Sequence, residues 1–262
     1  MSKIEKALHK AATERKSKTG DQGARQAGST QAIDVQSPVY TKTLVQSTVS
    51  IELLERERLL GGTEERELRD NINLLRTQVL QKTRSMGWTT IMVTSPNPKA
   101  GKTTIATNLA ISLARELNHT ALLVDTCIQK PEVGKRLGLE EVSGLSDYLL
   151  YQTPLENILI NPGIEKMVVL PGGTPVANSA ELLGSSLMKK LVTELKHRYA
   201  DRYIIFDASH IVDVPDALVF SEYVDATLLV ISDSETQSDE LRKTLELLAN
   251  RNLLGIVLNK VR

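Results

Sequence analysis

Apolar positions change their rhythm at Trp88. Before it they recur at three- and four-residue intervals. Leu68, Ile72, Leu75 and Leu80 form a stripe through the charged stretch Glu64-Glu65-Arg66-Glu67-Leu68-Arg69-Asp70, which predicts helix over about 51–84 with one solvated face. After Trp88 they come in short unbroken runs: Thr90–Thr94, Ala121–Asp125, Met167–Leu170, Tyr203–Asp207, Thr227–Ile231 and Gly255–Asn259. Such runs, rich in Val, Ile and Leu and without polar alternation, mark strands covered on both faces of a parallel sheet. Helices are expected between them. Asn178 followed by Glu181, and Thr236 followed by Asp239, read as capping boxes, and Leu241, Leu245 and Leu248 share one face. Strand alternating with helix predicts an α/β fold with a doubly wound, mostly parallel sheet.

Upstream, Met1, Ile4, Leu8 and Ala11 give residues 1–18 the spacing of an amphipathic helix, with Lys3, Lys6, Lys10 and Arg15 opposite. Residues 1–25 hold seven basic and three acidic residues, a surplus of four positive charges. That end reads as a docking segment for a partner or an anionic membrane surface, or as a solvated terminus. Residues 19–50, rich in Gly, Ser, Thr and Gln, read as a flexible linker. Residues 51–262 read as one α/β domain.

Composition narrows the classes. An apolar share of 41% over 262 residues supports a packed core. Lys and Arg together equal Asp and Glu at 32 each, so net charge gives no reason to expect a nucleic-acid partner. The sole cysteine, Cys127, excludes an intramolecular disulfide and a cysteine-rich zinc site. No apolar run reaches the roughly eighteen residues of a membrane span, and the N-terminus lacks the apolar core of a signal peptide, so a cytoplasmic protein is expected.

The candidate chemistry sits between the first strand and the next helix, in Ser95-Pro96-Asn97-Pro98-Lys99-Ala100-Gly101-Lys102-Thr103-Thr104. Free N–H groups at a helix N-terminus suit a phosphate. Gly101 lets the backbone approach, Lys102 offers an ammonium to β and γ phosphates, and the Thr103 hydroxyl suits Mg2+. Pro96 stands where the general phosphate-loop pattern has glycine. N–H donors remain on Lys99, Ala100, Gly101, Lys102 and Thr103. Two later strands end in Asp125 and Asp207. Ligands of an open parallel sheet sit beyond the carboxyl ends of its strands, so both carboxylates are candidates for holding Mg2+ beside ATP.

These motifs, in this order, resemble the bacterial tyrosine kinases of capsule and exopolysaccharide loci, relatives of the MinD/ParA-type P-loop ATPases. The resemblance runs over about 64–262. Its Walker A is Thr94–Thr104 with Pro98 included, followed by Asn108-Leu109-Ala110; its Walker A′ is Leu122–Pro131; its Walker B is Ile204–Asp207. Gly144–Leu149, Leu170-Pro171-Gly172-Gly173, Asn178–Leu183, Asp213–Ala217 and Gly255–Lys260 complete it, and Ser2–Leu8 is similar to the start of several members. The resemblance implies that Pro98, Lys99, Ala100, Gly101, Lys102, Thr103, Thr104 and Asn259 bind ATP, with Asn259 near the adenine. It implies that Thr103, Asp125 and Asp207 hold Mg2+, and that Lys102, Asp125 and Asp207 serve catalysis. It also implies a membrane-anchored partner that sets polysaccharide chain length or export, and transfer of the γ-phosphate to the protein's own tyrosines; self-association stays open.

Three departures mark this chain. Cys127 replaces the second aspartate of the A′ motif, and reads either as a small buried residue or as a redox or catalytic group. No tyrosine-rich tail follows the last strand. Tyr40, in the linker, is the expected acceptor among six tyrosines. The E-x-x-R-x-x-R assembly motif is reduced to Asp70, Asn73 and Arg76. Two other readings stay open: a MinD/ParA-type ATPase switch, disfavoured by Asn97 where a loop lysine is expected, and a nucleotide-binding scaffold without catalysis.

Overall fold

The computed structural model describes residues 44–45, 48–62, 66–139, 142–198, 201–233 and 235–261. The amphipathic segment 1–18, residues 19–43 of the linker and Tyr40 lie outside the described residues. The strands are β1 (Leu44–Val45), β2 (Thr90–Ser95), β3 (Thr120–Asp125), β4 (Ile160–Asn161), β5 (Met167–Leu170), β6 (Arg202–His210), β7 (Ala226–Ser232) and β8 (Leu253–Asn259). They form one sheet in the order β1-β4-β5-β3-β6-β2-β7-β8. Neighbours pair in parallel except β4 against β5. β2 lies between β6 and β7, so the chain winds outward from it in both directions. This reversal opens a crevice at the carboxyl end of β2.

Unbroken apolar runs make the inner strands because both faces are covered; β8 departs from this expectation, since it lies at the sheet edge with Leu253, Ile256 and Leu258 exposed. Ile91, Val93, Leu123, Val169 and Ile205 enter one core; Met92, Leu122, Val124, Val168, Ile204 and Phe206 enter the other. The first core is capped by α1 (Ile51–Arg56), α2 (Arg66–Met86) and α3 (Lys102–Ala114). The second is covered by α5 (Leu145–Tyr151), α6 (Ser179–Leu183), α7 (Ser186–Arg198) and α8 (Asp216–Phe220). Two further helices are α4 (Val133–Arg136) and α9 (Ser238–Leu247). α3 is apolar on nearly every side and is buried almost throughout. It is sandwiched between the sheet and the α1–α2 layer, as an all-round apolar helix must be.

Several local expectations change. The helix expected over 51–84 is two helices. Arg58 (φ 54°) and Gly61 (φ 114°) take left-handed backbone between them, which no helix continues through. The turn is anchored on α3: Asn108 accepts the Leu60 N–H at 2.7 Å and donates to the Arg58 carbonyl at 2.9 Å. Inside the stretch read as linker, Leu44–Val45 pairs with Ile160–Asn161, and the Ser50 hydroxyl caps α1 by accepting the Leu53 N–H at 3.2 Å. The box at α9 is shifted by one residue. Glu240 reaches back to the Gln237 N–H at 2.9 Å, while the Thr236 hydroxyl accepts the Ser232 N–H at 3.0 Å. Asn178 stands at the α6 N-cap without a side-chain cap bond.

Of the reduced assembly motif, only Asp70 faces outward, beside Arg66 at 3.5 Å. Arg76 pairs with Glu116 at 3.0 Å and donates to the Ser112 carbonyl, and Asn73 accepts the Ser112 hydroxyl. These two residues clamp α2 to α3 within the same chain.

Candidate functional site: a phosphate loop facing two buried aspartates

β2 is buried along its whole length and delivers the loop 96–101 directly to α3. Lys99 (φ 65°) and Gly101 (φ 95°) are left-handed, so the loop doubles back on itself before the helix begins. Gly101 is needed for a second reason: a Cβ there would lie 2.1 Å from Asn259 Nδ2. That nitrogen donates to the Ala100 carbonyl at 2.9 Å, tying the end of β8 to the loop. No side chain caps α3, so its first N–H groups face the crevice without a side-chain acceptor. Ser95 donates to the Asn97 carbonyl at 2.6 Å, and the Asn97 amide donates to Glu240.

The crevice has a volume of about 680 Å³. Every residue expected to bind nucleotide lines it or adjoins it: Pro98, Lys99, Gly101, Lys102, Thr103, Thr104 and Asn259 are on its wall, and Ala100 is buried in the loop between them. Asp125 and Asp207 are neighbours across the β3–β6 pairing, and both are fully buried. They differ in how they are held. Asp125 accepts three backbone N–H groups, from Cys127, Glu132 and Val133, each at 3.0 Å. Neither carboxylate oxygen of Asp207 has a hydrogen-bond partner of ordinary geometry.

The electrostatics follow. Burial pushes the Asp125 carboxyl up to about 6, against the pull of its three amides and of Lys102. Burial pushes Asp207 further, to about 7, with Asp125 adding repulsion and Lys102 and the nearby Thr103 hydroxyl opposing. Burial works against the Lys102 ammonium too, but Cys127, Asp207, Glu132 and Asp125 outweigh it and its pKa is raised. A buried carboxylate with both oxygens unpartnered is costly unless a cation meets it. That makes Asp207 the residue whose state fits a Mg2+ ion, with Thr103 on the loop and Asp125 on the next strand beside it.

Cys127 is drawn into this group. Its Sγ and the carboxylate oxygens of Asp125 and Asp207 all lie within 4.8 Å of one another. Burial raises its pKa well above the ordinary thiol value, and Asp207 and Asp125 add to the rise, so the sulfur keeps its proton at neutral pH. Sequence reasoning missed Arg136, Glu132 and His210, which also line the crevice. Arg136 bonds Glu57 at 3.1 Å and lies 3.4 Å from the Thr104 hydroxyl, joining the turn after α1 to the loop's helix. Nothing in the spacing of Glu57 and Arg136 announces this pair, because the fold alone brings them together. The motifs at Gly144 and Leu170 serve each other: the Pro171 and Gly172 carbonyls accept the Leu145 and Ser146 N–H groups, and Asp147 accepts the Gly144 N–H at 2.7 Å.

With the geometry in hand, comparison with known proteins gives one answer at two levels. The family model "CobQ/CobB/MinD/ParA nucleotide binding domain" matches residues 91–262. The chain is 35% identical over 171 residues to tyrosine-protein kinase YwqD of Bacillus subtilis (strain 168), covering 64% of this chain and 71% of YwqD. It is 32% identical over 173 residues to tyrosine-protein kinase CpsD of Streptococcus pneumoniae serotype 4, covering 65% and 75%. Among solved structures, the chimerical protein CapA2B2 superposes with a TM-score of 0.71 at 27% identity, over 83% of this chain and 92% of that one.

Proposed function

Because the chain belongs to the bacterial tyrosine-protein kinases, within the CobQ/CobB/MinD/ParA nucleotide-binding domains, we propose that it binds ATP with Mg2+ and transfers the γ-phosphate to tyrosine. The observation that carries this reading is the juxtaposition of an uncapped phosphate loop with Asp207, buried beside Lys102 and Thr103 and without a hydrogen-bond partner of ordinary geometry. Lys102 and the loop N–H groups hold the β and γ phosphates, and Asn259 keeps the loop in shape. Thr103, Asp125 and Asp207 hold the metal. When bound, Mg2+ neutralises charge on the phosphate oxygens. The acceptor tyrosine's oxygen forms the new bond to phosphorus as the bond to the ADP oxygen breaks. Its proton leaves to solvent or phosphate, because the Cys127 thiol is already protonated. Phosphoryl transfer passes through a loose transition state and rests mainly on positioning and charge, so the missing carboxylate slows the step without forbidding it.

The same reading places the protein in exopolysaccharide or capsule production, as the cytoplasmic partner of a membrane-anchored chain-length or export protein. No helix among the described residues is long and apolar enough to cross a membrane. A second reading, a nucleotide-binding scaffold that transfers no phosphate, is favoured by one observation, the protonated sulfur of Cys127 in place of a carboxylate. Against a MinD/ParA-type switch stands Asn97, whose amide is spent on Glu240 of its own chain.

Incubation of the purified protein with γ-labelled ATP and Mg2+, with Lys102→Met as control, tests the proposal. Phosphotyrosine that disappears in the control supports the kinase. Tight ATP binding without label supports the scaffold.

A further inference from the structure

The crevice holds one ligand set that a magnesium site does not need. Mg2+ is a hard ion served by oxygen, and a thiol is a poor ligand for it. Yet Cys127 Sγ stands within 4.8 Å of carboxylate oxygens from both Asp125 and Asp207. Cys127 is partly exposed at the crevice, where it forms part of the wall. Asp207 is fully buried with neither oxygen in a hydrogen bond of ordinary geometry, and Asp125 keeps part of its lone-pair capacity after three amide bonds. The Cys127 thiol donates weakly to the Asp207 carbonyl at 3.8 Å, a contact that leaves its lone pairs available.

We propose that Asp125, Cys127 and Asp207 form a binding site for a thiophilic divalent cation of the zinc class, which competes with Mg2+ at this crevice. One sulfur and two oxygens are a borderline-soft donor set. Zn2+ takes such sets with Zn–S near ~2.3 Å and Zn–O near ~2.0–2.2 Å. Around a tetrahedral zinc those lengths set a sulfur and an oxygen about 3.6 Å apart, so ligand atoms that stand up to 4.8 Å apart here close by about 1.2 Å at most, a side-chain adjustment. On binding, the Cys127 S–H bond breaks, the sulfur pair goes to the metal and the proton goes to solvent; no electron changes hands. Lys102, in the same crevice, opposes any cation, and two carboxylates with a thiolate outweigh its single charge. The preference expected is zinc, cobalt and cadmium over magnesium at the nucleotide-free site. The site rests on the ATP reading in sharing Asp125 and Asp207 with its Mg2+ ligands and adds the Cys127 sulfur, and the nucleotide-free measurement keeps the two separate: Mg-ATP binding can persist when the sulfur takes no metal.

The probe is Co2+, titrated into the nucleotide-free full chain and followed by its sulfur-to-metal charge-transfer absorption. Cys127 is the only cysteine, so the band has one source. The expected result is a saturable band that Zn2+ displaces and that a large excess of Mg2+ displaces only weakly. Cys127→Ser abolishes the band, and Asp207→Asn weakens Co2+ affinity by at least about tenfold while leaving the thiol in place. Calorimetric Zn2+ titration should show the same loss in both variants, with circular dichroism to establish that each is folded. No band in the parent chain overturns the site. So does a band whose affinity is unchanged in Asp207→Asn, since that is a thiol binding cobalt by itself.

Discussion

Asn259, the last residue of β8, donates its side-chain amide to the carbonyl of Ala100 in the phosphate loop, a 2.9 Å bond across 159 positions of chain. The loop is therefore shaped by a residue from the opposite end of the domain. Removing the bond with Asn259→Ala gives up about 0.5–1.5 kcal/mol of loop order, so ATP affinity should fall roughly three- to tenfold with the fold intact. Gly101→Ala should be much worse. Its Cβ meets Asn259 Nδ2 at 2.1 Å on a backbone already at φ 95°, and ATP binding should drop beyond detection. Equilibrium titration with a fluorescent ATP analogue separates the two; equal effects would mean the loop is not held this way.

Asp207 should trade stability for function. Its carboxyl is pushed up to about 7 by burial, above its unfolded value, so the folded ligand-free chain binds more protons than the unfolded one. For an acid shifted upward, stability falls as pH rises from about 4 through 7. Asp207→Asn removes that penalty. The variant should melt several degrees higher than the parent at pH 8 without nucleotide, differ little at pH 4, and lose the further rise that Mg-ATP gives the parent. Thermal melts at the two pH values decide it, and a variant less stable at pH 8 would contradict the assignment.

Asp225 should do the opposite. Burial works to raise its pKa, but Lys196 and the N–H groups of Thr89 and Thr90 win and lower it. The amide bonds are 2.9 and 3.0 Å, and they hold the entry to β2. A depressed carboxylate stabilises above its unfolded pKa and loses that contribution as pH falls through the folded one. Asp225→Asn should cost about 1–3 kcal/mol at pH 7, and the gap from the parent should shrink below about pH 4. Urea unfolding at both pH values is the measurement.

Cys127→Asp should put a carboxylate in the crevice wall beside Asp125 and Asp207. General-base assistance is commonly worth about 100-fold or more, so Mg2+-dependent autophosphorylation should rise by at least tenfold. Initial rates with labelled ATP read this directly. An unchanged rate would place the limiting step elsewhere, in acceptor delivery.

The α1–α2 layer is tied to the loop helix through Asn108, whose side chain makes two bonds to the turn at 58–60. Asn108→Ala leaves a buried N–H and a carbonyl without their partner and should destabilise the chain by about 1–3 kcal/mol. Limited proteolysis should then cut first near residues 57–65, ahead of the sheet.

Much of the architecture was legible because the inner strands β2, β3, β5, β6 and β7 are buried on both faces nearly throughout. That condition writes itself as unbroken apolar runs, and all six expected strands are present, extended by one to three residues at some ends. Gly101-Lys102-Thr103, Asp125 at the end of β3 and Asp207 were readable for a related reason, that phosphate and metal chemistry demand those residue types near the carboxyl ends of parallel strands; β6 nevertheless runs on past Asp207 to His210. The short strands Leu44–Val45 and Ile160–Asn161 were not readable, since two residues carry no period. Whether Asn108 and Arg76 would face a partner or the chain itself was equally hidden, because a polar residue on a helix reads the same in either setting. The sequence by itself determined the covered inner strands, the phosphate loop and the two aspartates beside it, through local residue chemistry. Only the tertiary structure decided that Asp207 is left without partners, that Cys127 turns toward it, and that Asn259 and Arg136 brace the loop. Those relations join residues tens of positions apart, whose distances are set by packing rather than by spacing.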